Sequence, residues 1–208
     1  MVLQIIVITF GHRFMAKPKI DRKTLLKNSL SVFKTKGYTA TSMSDLAHAS
    51  GLLKGSMYHY IDSKEQLMLE VLNSLMDHYV NKVFITAYDE ELSPYDRLFL
   101  LSKRAEEIFI FEDAGNFFAN IGLETKNLSL GFEKVIQDFF EKWIATIEHI
   151  YTYVLSKKEA YVKAESVVAQ IEGAVLLMKV MDDAGHLRRV ISGLLEEYKE
   201  LEIENAVK

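Results

Sequence analysis

The sequence predicts an all-α protein of about nine helices, a small three-helix module followed by a larger helical bundle. Three observations carry that expectation. Breakers are scarce, with two prolines and ten glycines in 208 residues, and good helix formers are abundant. Apolar side chains recur at i, i+3 and i+4 along most of the chain. No stretch shows the strict alternation of a half-buried strand.

The elements follow in order. Residues 22–36, RKTLLKNSLSVFKTK, place Leu26, Leu30 and Phe33 on one face. Gly37 is expected to end this helix in the left-handed conformation, with Lys34 and Lys36 at the negative end of its dipole. Thr41, Ser42 and Ser44 offer N-cap hydroxyls to a second helix whose inner face holds Met43, Leu46 and Ala47. Gly51 interrupts, and a third helix is expected over 55–60. Ser63 and Gln66 form a Ser-x-x-Gln capping box. It opens a helix striped by Leu67, Met68, Val71, Leu72, Leu75, Met76, Tyr79, Val80 and Val83. Ser93-Pro94 reads as an N-cap with proline at the first helical position, and the helix runs to about Phe111. Gly115, Gly122 and Gly131 mark breaks in 112–131. A long helix is expected over 132–155, a broadly apolar one over 164–181, and a last one over 187–199 after DAGH.

Composition limits the function classes. Hydrophobic residues make up 49% and charged residues 26% of the chain, ordinary values for one or two globular domains. There is no cysteine, which removes disulfides, thiolate metal sites and cysteine nucleophiles and suits a reducing cytoplasm. The opening run MVLQIIVITF is about half the length of a membrane span. Residues 1–14 are expected to be a non-essential extension before a second methionine, Met15. The division expected is 15–66 for the N-terminal module and 67–208 for the rest.

The net charge of −4 hides an asymmetry. Residues 15–64 hold nine Lys or Arg against three Asp, a charge of +6, whereas 65–208 hold 15 basic and 26 acidic residues, a charge of −11. A polyanion would meet the basic end. There, three short helices with a glycine between the second and third suggest a helix-turn-helix. Ala47, four residues before Gly51, lets two helices cross closely, and Gly51 supplies a positive φ. Leu46, Leu52, Met57 and Tyr60 fall inward, leaving Lys54, Ser56, Tyr58 and His59 outside. His48 reads as a surface histidine.

The stretch TATSMSDLAHASGLLKGSMYHYIDSKEQL resembles the DNA-binding module of the TetR (tetracycline-repressor) family of bacterial transcriptional regulators. The resemblance covers 22 to about 70. Glycine, Thr-Ser, Ala-x-x-x-Gly, Lys-Gly-x-x-Tyr-x-Tyr and Ser-Lys-Glu stand in the family's order; Ile61 and Leu53 depart from it. The resemblance implies a DNA-binding set of Thr41, Ser42, Lys54, Gly55, Ser56, Tyr58, His59 and Lys64. Thr41 and Ser42 would meet a phosphate at a helix start, and Lys54 and Gly55 would begin the recognition helix. Ser56 and His59 would read base edges, Tyr58 would donate to a phosphate, and Lys64 would add charge.

It further implies a cytoplasmic, homodimeric regulator, in its usual sense a repressor, bound to an approximately palindromic operator and released by a small molecule. The segments 164–181 and 187–199 would pair across a two-fold axis, or else serve only as core helices. Phe109, Phe111, Phe117, Phe118, Trp143, Tyr151 and Met178 could line an apolar effector pocket, although such aromatics equally build cores. No cofactor, metal site, membrane contact or catalytic residue is expected. Motifs for hydrolase, phosphate-loop and zinc-protease chemistry are missing, and Asp182-Asp183 with His186 reads as a cap or solvated turn. The competing class is a helical small-molecule-binding protein whose N-terminal module does not read DNA. The charge split and the presence of Lys54, Tyr58 and Lys64 oppose it.

Overall fold

A computed structural model describes residues 20–111 and 116–207. Among these, nine α-helices and one 3-10 turn account for the regular structure, without a strand. α1 (Arg22–Lys36), α2 (Met43–Ala49) and α3 (Lys54–Met57) form the N-terminal module. α4 (Lys64–Lys82) leads out of it, followed by the 3-10 turn Phe84–Tyr88. α5 (Pro94–Phe111), α6 (Phe117–Thr125), α7 (Phe132–Tyr151), α8 (Lys157–Met181) and α9 (Gly185–Ala206) complete the bundle. Residues 1–14, Gly115 and the side chain of Phe111 lie outside the described residues.

In the module, short polar side chains fix the helix ends. Asp21 caps α1 by accepting from the Thr24 amide at 2.9 Å. Its buried face is Leu25, Ser29 and Phe33, whereas Leu26 and Leu30 stay half-buried. The face expected from Leu26 and Leu30 is therefore rotated by one residue. The small Ser29 sits completely buried against the neighbouring helices, a place its polarity does not advertise. Gly37 has φ 77° and ψ 173°, so its φ is positive as expected but the chain leaves extended rather than left-handed helical. Gly51, at φ 65°, makes the turn between α2 and α3.

α4 belongs to both halves. It packs on α1 at one end and on α7 at the other, so the expected boundary at 66 falls within its first turn. Ser63 caps it by accepting from the Gln66 amide at 3.1 Å. The reciprocal half of the expected box is displaced, since Gln66 Oε1 accepts from Asp62 N–H rather than from Ser63. Full capping boxes occur instead at Ser42–Asp45 and Ser156–Glu159.

The bundle's core is aromatic. Tyr79 of α4, Phe84 of the 3-10 turn, Phe118 of α6 and Phe139 of α7 meet ring to ring. α7 ends at Tyr151, earlier than expected, and α8 begins at Lys157, also earlier. α8 buries Ala160, Ala164, Val167, Val168, Ile171, Ala174, Val175 and Met178 against α7 and α9. Its opposite face leaves Val162, Leu176, Leu177 and Val180 exposed. α9 is less apolar outside than expected: Arg189, Ser192, Gly193, Glu196 and Glu200 face solvent there. Among the described residues, no helix is long and apolar enough to cross a membrane.

Candidate nucleic-acid interface

The candidate recognition segment is short and firmly seated. α3 spans only Lys54–Met57, and the chain continues in turns to Tyr60 rather than as the expected helix over 55–60. Met57 and Ile61 are the anchors, both buried, joined by an Ile61 N–H to Met57 carbonyl bond of 3.2 Å. Leu46 and Ala47 of α2 are buried beneath them, while Leu52 and Tyr60 are half-buried. Arg22 holds the segment's far end, donating to the Tyr60 carbonyl at 2.6 Å and to Glu70 of α4 at 2.7 Å. With its inner residues fixed, the segment turns Lys54, Gly55, Tyr58 and His59 outward, and Ser56 is half-exposed. Tyr58 is 48% exposed, too much for a core tyrosine.

The start of α2 divides the Thr41–Ser42 pair. Thr41 is 2% exposed and its hydroxyl donates to the Gly37 carbonyl at 2.6 Å. That hydroxyl is committed to the fold, so the surface group at the helix start is Ser42. Ser42 Oγ accepts from Asp45 N–H at 3.2 Å, and Asp45 in turn accepts from Ser42 N–H at 2.9 Å. Lys36 pairs with Asp45 at 2.5 Å. The Lys36 bond, then those from Ser42, hold the Asp45 carboxyl well below its usual range. A phosphate approaching α2 therefore meets a carboxylate already neutralised by a lysine. Reading the motif for hydroxyls alone missed Asp45 and Lys36; the Ser-x-x-Asp spacing was the available signal.

Lys64 is likewise occupied. Its ammonium donates to the carbonyls of Tyr38 and Thr41 at 2.9 and 2.8 Å and lies 4.3 Å from the centre of the Tyr38 ring. Tyr38 donates its hydroxyl to Glu65 at 2.9 Å, and burial, followed by that contact, pushes its phenol pKa upward. Lys64 thus ties α4 to the turn before α2.

Of the seven residues expected around an effector, the six whose side chains are described separate into four places. Phe109, Phe118 and Trp143 belong to one cluster through Phe139, which stacks on Phe118 with centroids 3.9 Å apart and planes at 5°. Phe117, although adjacent in sequence, faces a 110 Å³ cavity at the junction with α1, beside Phe33, Lys34 and Gly37. Tyr151 packs edge-on against Tyr198, with its hydroxyl buried and unpartnered among the described residues. Met178 is buried on α8. Tyr79, Phe84 and Phe139 are the members that sequence reading overlooked. Tyr79 and Phe139 already stood on the apolar stripes of their helices. As for the acidic turn, Asp182 is the C-cap of α8 at φ 52°, and Asp183 accepts from Gly185 N–H at 2.8 Å.

Comparisons with known proteins agree with this architecture. Residues 25–71 match the model for bacterial regulatory proteins of the tetR family. Residues 111–192 match that for the C-terminal domain of LmrA/YxaF-like transcriptional regulators. The HTH-type transcriptional repressor KstR2 of Mycolicibacterium smegmatis is 30% identical over 124 residues, 54% of this chain and 60% of that protein. The chain thus matches less than two thirds of that relative's length. The repressor DhaR of a Mycobacterium species is 26% identical over 165 residues, 76% of this chain and 82% of its own. Among solved structures, a TetR regulator from Legionella pneumophila superposes with TM-score 0.77 at 17% identity, covering 87% of this chain and 98% of that one. One from Rhodobacter sphaeroides gives 0.73 at 21%, covering 84% and 96%. With both halves matched in order and the same all-α fold around them, the chain belongs to the TetR family of bacterial transcriptional regulators.

Proposed function

We propose that the protein is a cytoplasmic, ligand-responsive repressor that binds an approximately palindromic operator as a homodimer and is released by a small, mainly apolar molecule. The observation that carries the DNA-binding part is the division of labour in the recognition segment. Met57, Ile61 and the Arg22 contacts face inward, while Lys54, Tyr58 and His59 are presented on a module of charge +6. His59 and Ser56 are assigned to base edges and Tyr58, Lys54 and Ser42 to phosphates, which set position and affinity rather than sequence.

Dimerisation is supported by the exposed stripe on α8. Leu176, Leu177 and Val180 are 55%, 48% and 71% exposed, and Ala169 and Gly173 beside them are also exposed and small. Pairing this face with its copy would bury the stripe and set two recognition segments at half-sites about one helical turn apart. The apolar character of the effector is supported by the rings of Phe109, Phe118, Phe139 and Trp143. A ligand that separates them favours one conformation over another, and only its differential affinity for the two can shift DNA binding.

The test is a gel shift and footprint on DNA upstream of the protein's own gene. A protected, roughly two-fold symmetric site is expected, released by an apolar compound. Lack of protection by protein refolded free of ligand would overturn the reading.

A further inference from the structure

One carboxylate from the C-terminal half reaches into the N-terminal module. Glu124, in the last turn of α6, accepts from the backbone N–H of Tyr38 at 2.9 Å through Oε2 and from that of Thr39 at 2.7 Å through Oε1. Burial alone would raise the carboxyl's pKa, but the Thr39 and Tyr38 amides outweigh it and hold the group ionised below its usual range. A glutamate at a helix C-terminus opposes the helix dipole, so α6 itself gains nothing from this charge. Its partners lie in the turn between α1 and α2, 85 and 86 residues away.

The turn is shaped around that group. At Gly37, φ 77° and ψ 173° is a conformation essentially reserved for glycine. A Cβ there would lie 3.0–3.3 Å from the Glu124 carboxylate. Lys64 grips the Tyr38 and Thr41 carbonyls and its charge also favours the ionised Glu124, and the Tyr38 ring meets Phe132 of α7 edge-on at 5.0 Å. Donors of the turn thus face Glu124 and its acceptors face Lys64. The next residue along is Ser42, the cap of α2.

We propose that Glu124 is a positioning residue for DNA recognition, fixing the α1–α2 turn and through it the start of α2. The proposal rests on the DNA-binding reading above. It also names how the two halves speak to each other. α6 carries Phe117 and Phe118 two turns before Glu124. A rearrangement of those rings moves the carboxylate, and two amides of the module lose or regain their acceptors.

The experiment uses the full chain with Glu124→Ala, Glu124→Gln and, as a control, Leu123→Ala, whose side chain is 78% exposed on the same helix. Amide exchange of Tyr38 and Thr39, affinity for a selected operator, and thermal stability are measured together. Glu124→Ala should speed exchange at these two amides about tenfold and weaken operator binding about three- to tenfold. Glu124→Gln, which keeps one acceptor oxygen, should fall between it and wild type, so the proposal survives even if the alanine variant folds poorly. Leu123→Ala should change none of the three. Unchanged exchange at both amides overturns the clasp, and faster exchange with undiminished operator affinity overturns the positioning role. A wild-type chain that selects no DNA overturns the regulator reading itself, while the exchange arm still reads the clasp.

Discussion

The two halves of the chain hold their helices by different means. In the N-terminal module, ties run from side chain to backbone: Asp21 to Thr24, Ser42 with Asp45, Arg22 to Tyr60, Lys64 to Tyr38 and Thr41. In the bundle, rings meet rings, with Phe139 in contact with Tyr79, Phe84, Phe118, Phe140 and Trp143. A unit of some fifty residues buries too little apolar surface to be fixed by packing alone, and directional bonds make up the difference. The larger bundle has surface enough to use non-directional contacts, which slide and reopen more readily. Under the proposed function, a reading surface tied by directional bonds and joined to a bundle held by ring contacts is the arrangement a ligand-controlled regulator would require.

This contrast can be broken by substitution. The largest effect should come from Phe139→Ala, which empties the centre of the ring cluster and should cost about 3–5 kcal/mol in denaturant unfolding. A loss under 1 kcal/mol would mean that the rings are not what holds the bundle. Next is a pH effect confined to α8. Glu172 is half-buried and its carboxyl is pushed up to about 7 by burial, only partly opposed by Lys179. Between its ordinary value of 4.5 and about 7 the folded state binds the extra proton, so stability falls as pH rises through that window. Glu172→Gln should therefore gain about 1–2 kcal/mol at pH 8 and be neutral near pH 4, read by thermal melts across pH.

A smaller loss, about 1 kcal/mol, is expected from Ser42→Ala, since one cap is removed and Asp45 N–H loses its acceptor. If that change cost more than Phe139→Ala, the comparison between halves would be inverted. The smallest effect on stability belongs to Tyr58→Phe, within about 0.5 kcal/mol because the side chain is exposed. Its effect should appear instead as weaker binding to operator and random DNA alike. His59→Ala should hurt the operator more than random DNA, by about 1–3 kcal/mol. Equal losses on both would remove His59 from the base readers.

Much of this is legible in the sequence. The module's inner residues Leu46, Ala47 and Met57, the Ser63 and Ser93 caps and the α4 stripe follow from spacing alone. What was not legible depends on choices between neighbours. Leu25 and Leu26 are equally apolar, and only the helices on which α1 packs decide which is buried. Phe117 and Phe118 are adjacent and identical, yet one faces the module and the other the ring cluster. Thr41 and Ser42 both carry hydroxyls, but Thr41 spends its own on Gly37. The Glu124 contact spans 85 residues, and no local pattern reports a pairing at that distance.

The fixed lysines and arginine have a consequence for how strongly binding should respond to ions. Of the nine basic residues in the module, Lys64 is turned onto carbonyls, Lys36 onto Asp45 and Arg22 onto Glu70. Charges paired with a carboxylate, or held against the protein's own backbone as Lys64 is, make fewer phosphate contacts and so displace few counterions from a duplex. Lys23, Lys27 and Lys54 are exposed and have no ion pair among the described residues. The formal charge therefore overstates the electrostatic footprint, and each copy of the chain bound to DNA should release cations for a handful of phosphates rather than for nine.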